Sequence, residues 1–203
     1  MNLVTPDLGT QAAIAAVIDA GRLASTRGWV PATSGNFSAR ASAHRVMITA
    51  SGVDKGALES RHVLDIAQDE APPAGSSAET GLHLALYRRF PGVGAVVHIH
   101  SMAATMVSRR QRASGAVVLE GYELLKAFAG TKTHETSLAV PVFANSQDIE
   151  ALAEVIDRRL GSAPAAPGYL LAGHGLYAWG ATMAEALRHA EAFDFLFACE
   201  LMP

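Results

Sequence analysis

The sequence predicts a single α/β domain in which helices pack over a central sheet that is mixed or antiparallel. Helical and strand-like apolar patterns alternate along the 203 residues, which is typical of layered α/β domains. Several short strand-like runs are close neighbours, which favours antiparallel pairing over a doubly wound sheet. Half of the residues are hydrophobic and 17% are charged, so the chain can bury one substantial core.

The first half of the chain holds two predicted helices and three predicted strands. Apolar residues at nearly 3.6-residue spacing predict a helix over residues 10–28, followed by strand-like runs at 36–40 and 45–49. After a loop that contains two prolines and a glycine, the pattern predicts a helix over residues 79–90. The apolar run at 95–100 predicts a buried strand.

The second half continues the alternation, and its helices carry recognisable start signals. A capping box opens the last helix, and a polar residue can cap the helix before it. In order, the predicted elements are a helix over 121–129, a strand over 139–143, a helix from a cap at Asn145 or Ser146 to Leu160, two strands within 168–179, and a last helix opened by Thr182-x-x-Glu185.

Composition excludes several function classes. The formal net charge of −3 argues against a general nucleic-acid binder but allows one small anion in a local pocket. The single cysteine, Cys199, excludes an intrachain disulfide and a cysteine-rich metal site. Residues 1–7 lack the pattern of a signal peptide, and no apolar run is long enough for a transmembrane helix, so we expect a cytoplasmic protein. No glycine-rich dinucleotide fingerprint or phosphate-binding P-loop motif supports a nucleotide cofactor.

Three histidines form the candidate metal site. His98 and His100 lie two residues apart in a predicted strand, so their side chains project to the same face. On their own they are equally compatible with two unrelated core histidines. His174 lies between two glycines at a predicted turn, where the flexible backbone lets its ring reach inward. Three histidines with an open position are typical of catalytic zinc, although another divalent metal fits the same ligands.

Two glutamates are candidates for proton transfer. Glu123 follows the predicted metal strand, and Glu79 opens a predicted helix. Glu123 also fits a solvated position paired with Lys126, and Glu79 also fits a carboxylate that only favours the helix dipole. If Glu123 acts as a base and then as an acid, apolar surroundings should raise its pKa toward the working pH.

Three segments rich in small and hydroxyl-bearing residues predict an anion cradle. They are Thr33-Ser34-Gly35-Asn36, Thr49-Ala50-Ser51-Gly52 and Gly75-Ser76-Ser77. Backbone N–H groups and hydroxyls in such segments bind anions, although each segment alone also fits an ordinary turn. Together they predict a phosphate site with Lys55 as an accessory cation.

The motifs, taken as a set, resemble the class II aldolase/adducin family over nearly the whole chain. The motifs that carry the resemblance are Thr33-Ser34-Gly35-Asn36-Phe37-Ser38, Ile48-Thr49-Ala50-Ser51-Gly52, Ser77-Ala78-Glu79-Thr80, His98-Ile99-His100-Ser101 and Gly173-His174-Gly175. The resemblance implies a three-layer α/β/α fold and a homotetramer with active sites at subunit interfaces. It also implies that His98, His100 and His174 hold one zinc ion per subunit and that Glu123 is the acid/base. The residues it places around the phosphate of a small ketose substrate are Ser34, Gly35, Asn36, Thr49, Ser51, Gly52 and Ser77.

Within the family, three activities stay open. The segments around Glu123, Asn145 and Trp179 resemble members that remove water from a phosphorylated ketose. Glu79 falls where the sugar-phosphate aldolases keep a catalytic, metal-facing glutamate, so aldol cleavage or 4-epimerisation is the first alternative. A non-catalytic, adducin-like interaction domain is the second, and the presence of all three histidines argues against it.

Overall fold

The computed structural model describes residues 8–162 and 164–202, and a central sheet organises them. The strands in this part of the chain are β1 (Asn36–Arg40), β2 (Arg45–Thr49), β3 (Val63–Ala67), β4 (Ala95–Ile99), β5 (Ala116–Glu120), β6 (Ser137–Phe143), β7 (Gly168–Leu171) and β8 (Gly175–Gly180). They form one sheet in the order β3-β2-β1-β4-β8-β7-β6-β5. The β6–β7 pair is parallel and the other neighbouring strands are antiparallel, so the sheet is mixed, as predicted.

Helices cover both faces of this sheet. Those in the described residues are α1 (Leu8–Thr26), α2 (Thr80–Arg89), α3 (Met102–Arg110), α4 (Ile149–Leu160) and α5 (Met183–Leu201). The helices α1, α3 and α5 pack on one face, and α2 and α4 pack on the other. The three-layer α/β/α arrangement is therefore confirmed.

The two faces bury two separate apolar cores because side chains along a strand alternate between faces. On β4, Val97 points into the core shared with α1 and α5, and Val96 points into the core shared with α2 and α4. His98 follows Val97 and therefore lies on the α2/α4 face. On β8, Tyr177 and Trp179 pack on that same face. His98, one of the three predicted metal ligands, is therefore buried within a packed layer.

The structure differs from the sequence predictions at several elements. The strands β3 and β5 and the helix α3 were not predicted. The buried positions of α3 are Ala104, Val107 and Ser108, so its inner face lacks the large apolar residues that make a periodic pattern. The helix predicted over 121–129 is a 3-10 segment, Glu123–Ala127. Helix α4 is capped by Asp148, whose side chain accepts a hydrogen bond from the Ala151 N–H, rather than by Asn145 or Ser146.

Both ends of the chain and one loop residue lie outside the part that the structure describes. Residues 1–7, over which no signal-peptide pattern was found, lie outside the described residues, as do Ala163 in the loop predicted over 162–167 and Pro203. Among the helices of residues 8–162 and 164–202, none combines the length and the apolar character needed to cross a membrane.

Candidate active site

Four side chains from three parts of the fold converge at one end of the sheet. His98 lies on β4 and pairs in register with Tyr177 of β8, and its ring stacks on that of Tyr177 with centroids 4.0 Å apart. His100 follows directly after β4, where its N–H donates to the Trp29 carbonyl. His174 lies in the turn between β7 and β8, and Glu79 is the residue before the first turn of α2. We call these four residues the histidine–glutamate cluster.

The cluster is compact enough for one ion. The His100 Nε2 lies 2.8 Å from the His98 Nε2 and 3.2 Å from the His174 Nε2. The Glu79 carboxylate lies 2.9 Å from the His174 Nε2 through Oε1 and 3.4 Å from the His98 Nε2 through Oε2. One candidate ligand atom from each of the four residues lies within 4.8 Å of the others. The three histidines predicted as metal ligands are therefore brought together, and Glu79 joins them.

The electrostatics of the cluster favour a cation. Burial lowers the pKa of His98 well below its usual range and, together with His174, lowers that of His100 to about 4. Burial opposes ionisation of Glu79, but the hydrogen bond with His174 and the neighbouring histidines outweigh it and lower its pKa to about 2. Near neutral pH, His98 and His100 are therefore uncharged and lie beside the Glu79 carboxylate. Imidazole nitrogens this close, each with a lone pair to share, fit a divalent metal ion between them.

Glycines allow the β7–β8 turn to approach β4. Gly173 has a φ of +70°, in the left-handed region that favours glycine. A Cβ atom on Gly175 would lie 2.2 Å from the Ile99 carbonyl oxygen and 3.3 Å from Cε1 of His98. The Gly-His-Gly sequence is therefore required by the close backbone contact as well as by the turn.

A hydroxyl-rich cavity opens beside the cluster. It is lined by Thr33, Ser34, Gly35, Asn36, Ala50, Ser51, Gly52, Lys55, Ser77, Glu79, His100 and His174. The Ser34 hydroxyl and the Asn36 Oδ1 are buried and have no hydrogen-bond partner in the described part of the chain. A buried hydroxyl without a partner is costly unless a ligand satisfies it. The unpaired Ser34 hydroxyl can therefore donate to a bound anion, whereas the unpaired Asn36 Oδ1 can only accept a hydrogen bond from a ligand.

Asn36 connects this cavity to the cluster. Its Nδ2 donates to the Ser77 hydroxyl at 3.3 Å and to Oε2 of Glu79 at 3.2 Å. The Ser77 hydroxyl also accepts from the Glu79 N–H at 3.3 Å. The predicted phosphate residues and the candidate catalytic glutamate thus share one hydrogen-bond network.

Two cradle residues have roles that the sequence did not specify. The Thr49 side chain is fully buried, and its hydroxyl accepts from the Phe37 N–H at 3.2 Å. Thr49 therefore holds β1 against β2 and does not line the cavity, contrary to its predicted place around the phosphate. Lys55 is 2% exposed, and its Nζ donates to the Thr33 and Val53 carbonyls at 2.8 Å each. Burial lowers the pKa of Lys55, and the ammonium braces the cradle loop from behind.

Glu123 does not lie in the cluster of its own chain. Its side chain is 71% exposed and contacts Lys126 Nζ at 2.6 Å and His134 Nδ1 at 3.4 Å. The hydrogen bond from Lys126 lowers its pKa, so the expectation of apolar surroundings that raise the pKa is wrong for the single chain. The groove around Glu123 is lined by Leu124, Ala127, Arg188, Glu191, Ala192 and Phe195, none of which borders the cluster cavity.

Sequence reasoning missed one residue that touches the cluster. The Asn145 Oδ1 lies 3.1 Å from the His174 Nδ1. The sequence motif around Asn145 supported the family resemblance, but no local pattern shows that the β6–α4 loop passes the β7–β8 turn. A second cavity begins there, lined by Pro31, His100, Thr105, Asn145, Gln147, Gly173 and His174.

The fold and the site together define the class of protein. The chain belongs to the class II aldolase and adducin N-terminal domain family, whose model matches residues 15–201. Among its relatives, the methylthioribulose-1-phosphate dehydratase of Parvibaculum lavamentivorans is 50% identical over 198 residues, which cover 98% of this chain and 97% of that protein. The methylthioribulose-1-phosphate dehydratase of Marinobacter nauticus is 53% identical over 188 residues, covering 91% and 90%.

Solved structures agree on the fold. L-fuculose-1-phosphate aldolase from Thermus thermophilus is 28% identical and has a TM-score of 0.73, covering 92% of each chain. YgbL from Escherichia coli is 23% identical and has a TM-score of 0.79, covering 95% of this chain and 89% of that one. At that lower identity the second likeness shows the fold alone.

Proposed function

We propose that the protein is a zinc-dependent hydro-lyase that removes water from 5-methylthioribulose 1-phosphate to give 2,3-diketo-5-methylthiopentyl 1-phosphate, a step of methionine salvage. The observation that carries the proposal is the convergence of three histidines and Glu79 beside a hydroxyl-rich cavity. The relatives at 50% and 53% identity are named for this reaction, and we take the proposed substrate from their names.

The cavity suits the phosphate of the substrate, and the cluster suits the carbons at which the reaction takes place. Ser34, Ser51, Gly52 and Ser77 border the cavity and bind the phosphate with hydroxyls and backbone N–H groups. His98, His100 and His174 hold zinc, which when bound polarises the oxygens next to the reacting carbon. The substrate then lies with its phosphate in the cavity and its C2–C4 segment against the cluster.

The reaction needs one proton removed and one hydroxyl expelled. The acid/base takes the proton from C3 and delivers it to the C4 hydroxyl, so that the C4–O bond breaks with release of water. The resulting enol then tautomerises to the 2,3-diketone. The pKa values of Glu79 and Glu123 are both lowered, so basicity does not choose between them. Glu79 contacts the histidines and serves to hold the ligand set, and we assign the proton transfer to Glu123, as the family resemblance implies.

Because Glu123 lies outside the cluster of its own chain, we assign it to the site of a neighbouring copy in a homotetramer. The support is the groove around Glu123, where Phe195 is 58% and Leu124 is 38% exposed. Exposed apolar side chains of this size are typical of protein interfaces. We place this assembly in the cytoplasm, which cell fractionation tests.

The deciding experiment incubates the purified protein with methylthioribulose 1-phosphate, with and without a chelator, and identifies the product. Release of water with formation of the diketone, abolished by the chelator and restored by zinc, supports the proposal. Mass measurement of the native protein gives the oligomer. Glu123→Gln and His98→Ala subunits should each be inactive alone but regain activity when mixed, because one site in a mixed oligomer then keeps both residues. No regain in a confirmed mixed oligomer excludes a Glu123 contributed by a neighbouring copy.

A class II aldolase is the second candidate, because Glu79 contacts both His174 and His98 and an aldolase structure is 28% identical. Cleavage of C3–C4 releases dihydroxyacetone phosphate instead of water. The same incubation, assayed for dihydroxyacetone phosphate, separates the two activities.

A further inference from the structure

The backbone of His174 is fixed independently of its ring. The Thr105 hydroxyl donates to the His174 carbonyl at 3.1 Å, and the Ser108 hydroxyl accepts from the Gly173 N–H at 3.0 Å. The His174 N–H donates to the Leu171 carbonyl at 3.0 Å. The first two contacts position the turn against α3 and the third closes the turn itself, but all three leave the imidazole free to rotate about its side-chain bonds.

One contact outside the cluster acts on the ring itself. The Asn145 Oδ1 lies 3.1 Å from the His174 Nδ1. An amide oxygen can only accept a hydrogen bond, so this contact places the proton on Nδ1. The other nitrogen, Nε2, faces the cluster, 3.2 Å from the His100 Nε2 and 2.9 Å from the Glu79 Oε1. A proton held on Nδ1 leaves the Nε2 lone pair available to a metal ion that replaces the Glu79 contact.

His98 has the same arrangement with a different acceptor. Its Nδ1 lies 3.1 Å from the Leu176 carbonyl oxygen, and its Nε2 faces the cluster. A metal-binding histidine commonly donates its other ring N–H to such an oxygen, which fixes both tautomer and orientation. The acceptor for His98 is backbone and the one for His174 is a side chain, so only the latter can be removed by substitution.

Asn145 is itself held in place. The strand before it is tied to the turn, since the Ala172 N–H donates to the Phe143 carbonyl at 2.8 Å. The residue after it, Ser146, accepts from the Asp148 N–H at 3.1 Å at the start of α4. The amide oxygen is therefore presented to His174 by a loop that is anchored at both ends.

We propose that Asn145 is a positioning residue that fixes the tautomer and rotation of His174 and thereby raises the affinity of the cluster for zinc. The inference rests on the proposed use of the cluster as a zinc site, but it does not depend on the substrate. Loss of such a contact commonly weakens metal binding about 10- to 100-fold.

The test measures zinc affinity by competition with a chromophoric chelator for the full-length protein and three variants. Asn145→Ala should bind zinc about 10- to 100-fold more weakly. Asn145→Asp, which keeps an oxygen acceptor, should restore the affinity to that of wild type or above it. Glu150→Ala is the matched control: it alters the exposed first turn of α4 after the same loop, away from the anchors of Asn145, and should leave zinc affinity unchanged even if the melting temperature falls.

A second readout keeps the inference testable if Asn145→Ala is poorly folded. Nitrogen-15 spectra of histidine-labelled, zinc-loaded wild type should show the His174 Nδ1 as the protonated nitrogen. Zinc binding by wild type that Asn145→Ala leaves unchanged, or a His174 proton on Nε2, overturns the role of Asn145 and leaves the proposed reaction standing. Failure of wild type to bind stoichiometric zinc overturns the zinc proposal itself and the role of Asn145 with it.

Discussion

Acid should destabilise this protein through a histidine that the proposed reaction does not use. His83, on α2, is fully buried, and its Nδ1 lies 2.7 Å from the Ser38 hydroxyl. Its Nε2 is buried without a partner in the described part of the chain. Burial lowers the pKa of His83 from 6.5 to about 4, against the opposing influence of Glu79.

The sign and size of the pH effect on stability follow from the difference between the pKa of His83 in the folded chain and its ordinary value. Above about pH 6.5 His83 is neutral in both the folded and the unfolded chain, so it contributes no pH dependence. Between 6.5 and about 4 the unfolded chain binds the proton and the folded chain does not, so stability is lost as the pH falls. A separation of about 2.5 units corresponds to about 3 kcal/mol when complete, of which about 2 kcal/mol is lost by pH 5.

Urea unfolding at pH 7 and pH 5 measures this loss, in chelator so that metal release does not contribute. The pKa values of His98 and His100 are also lowered, so wild type should lose more than His83 alone supplies. His83→Asn keeps a polar atom for Ser38 but does not titrate. Between pH 7 and pH 5 the variant should therefore lose about 2 kcal/mol less free energy of unfolding than wild type.

The exposed His44 provides the control, since His44→Asn changes the histidine count without touching either core. It should follow the wild-type pH dependence. If His83→Asn also follows the wild-type dependence, His83 takes up its proton in the folded state and the reasoning from burial fails.

Three further predictions concern the turn, a helix cap and the cradle. Gly175→Ala places its Cβ 2.2 Å from the Ile99 carbonyl oxygen and should cost about 1–3 kcal/mol in urea unfolding and reduce the zinc content. Gly92→Ala meets no atom within 4 Å and should keep its zinc; equal zinc loss in both would contradict the close-contact argument. Asp148→Ala removes the cap on the Ala151 N–H and should lower the free energy of unfolding by about 1 kcal/mol, whereas Asp148→Asn should retain most of it. Lys55→Met removes the buried ammonium behind the cradle and should raise KM about tenfold, the equivalent of one charge-assisted hydrogen bond; an unchanged KM would separate Lys55 from the phosphate site.

Local patterns predicted the parts of the fold in which local preference and burial agree. The strands at 36–40 and 45–49 have the observed bounds, because each is a short run bounded by turn residues. Helix α3 lacks large buried side chains, and its start depends on Ser101, whose hydroxyl accepts from the Ala104 N–H. The apolar pattern of that segment was therefore too weak to predict a helix.

The candidate site was partly predictable for a related reason. Two histidines at strand spacing and a Gly-His-Gly turn are local signals, and the structure brings them together. The contacts of Glu79 and Asn145 depend on how α2 and the β6–α4 loop pack against the sheet, which no local pattern specifies. For Glu123 the sequence left two interpretations open, a solvated position paired with Lys126 and a catalytic position in apolar surroundings. In the single chain the side chain is exposed and paired with Lys126.

The order of the cluster along the chain determines when it can capture a metal during synthesis. Glu79, His98 and His100 leave the ribosome well before His174, and β4 completes its pairing only with β8. A nascent chain that ends before His174 therefore lacks both the third imidazole and β8, the strand that pairs with His98. Capture of one ion by all four side chains of the cluster therefore requires translation of most of the chain.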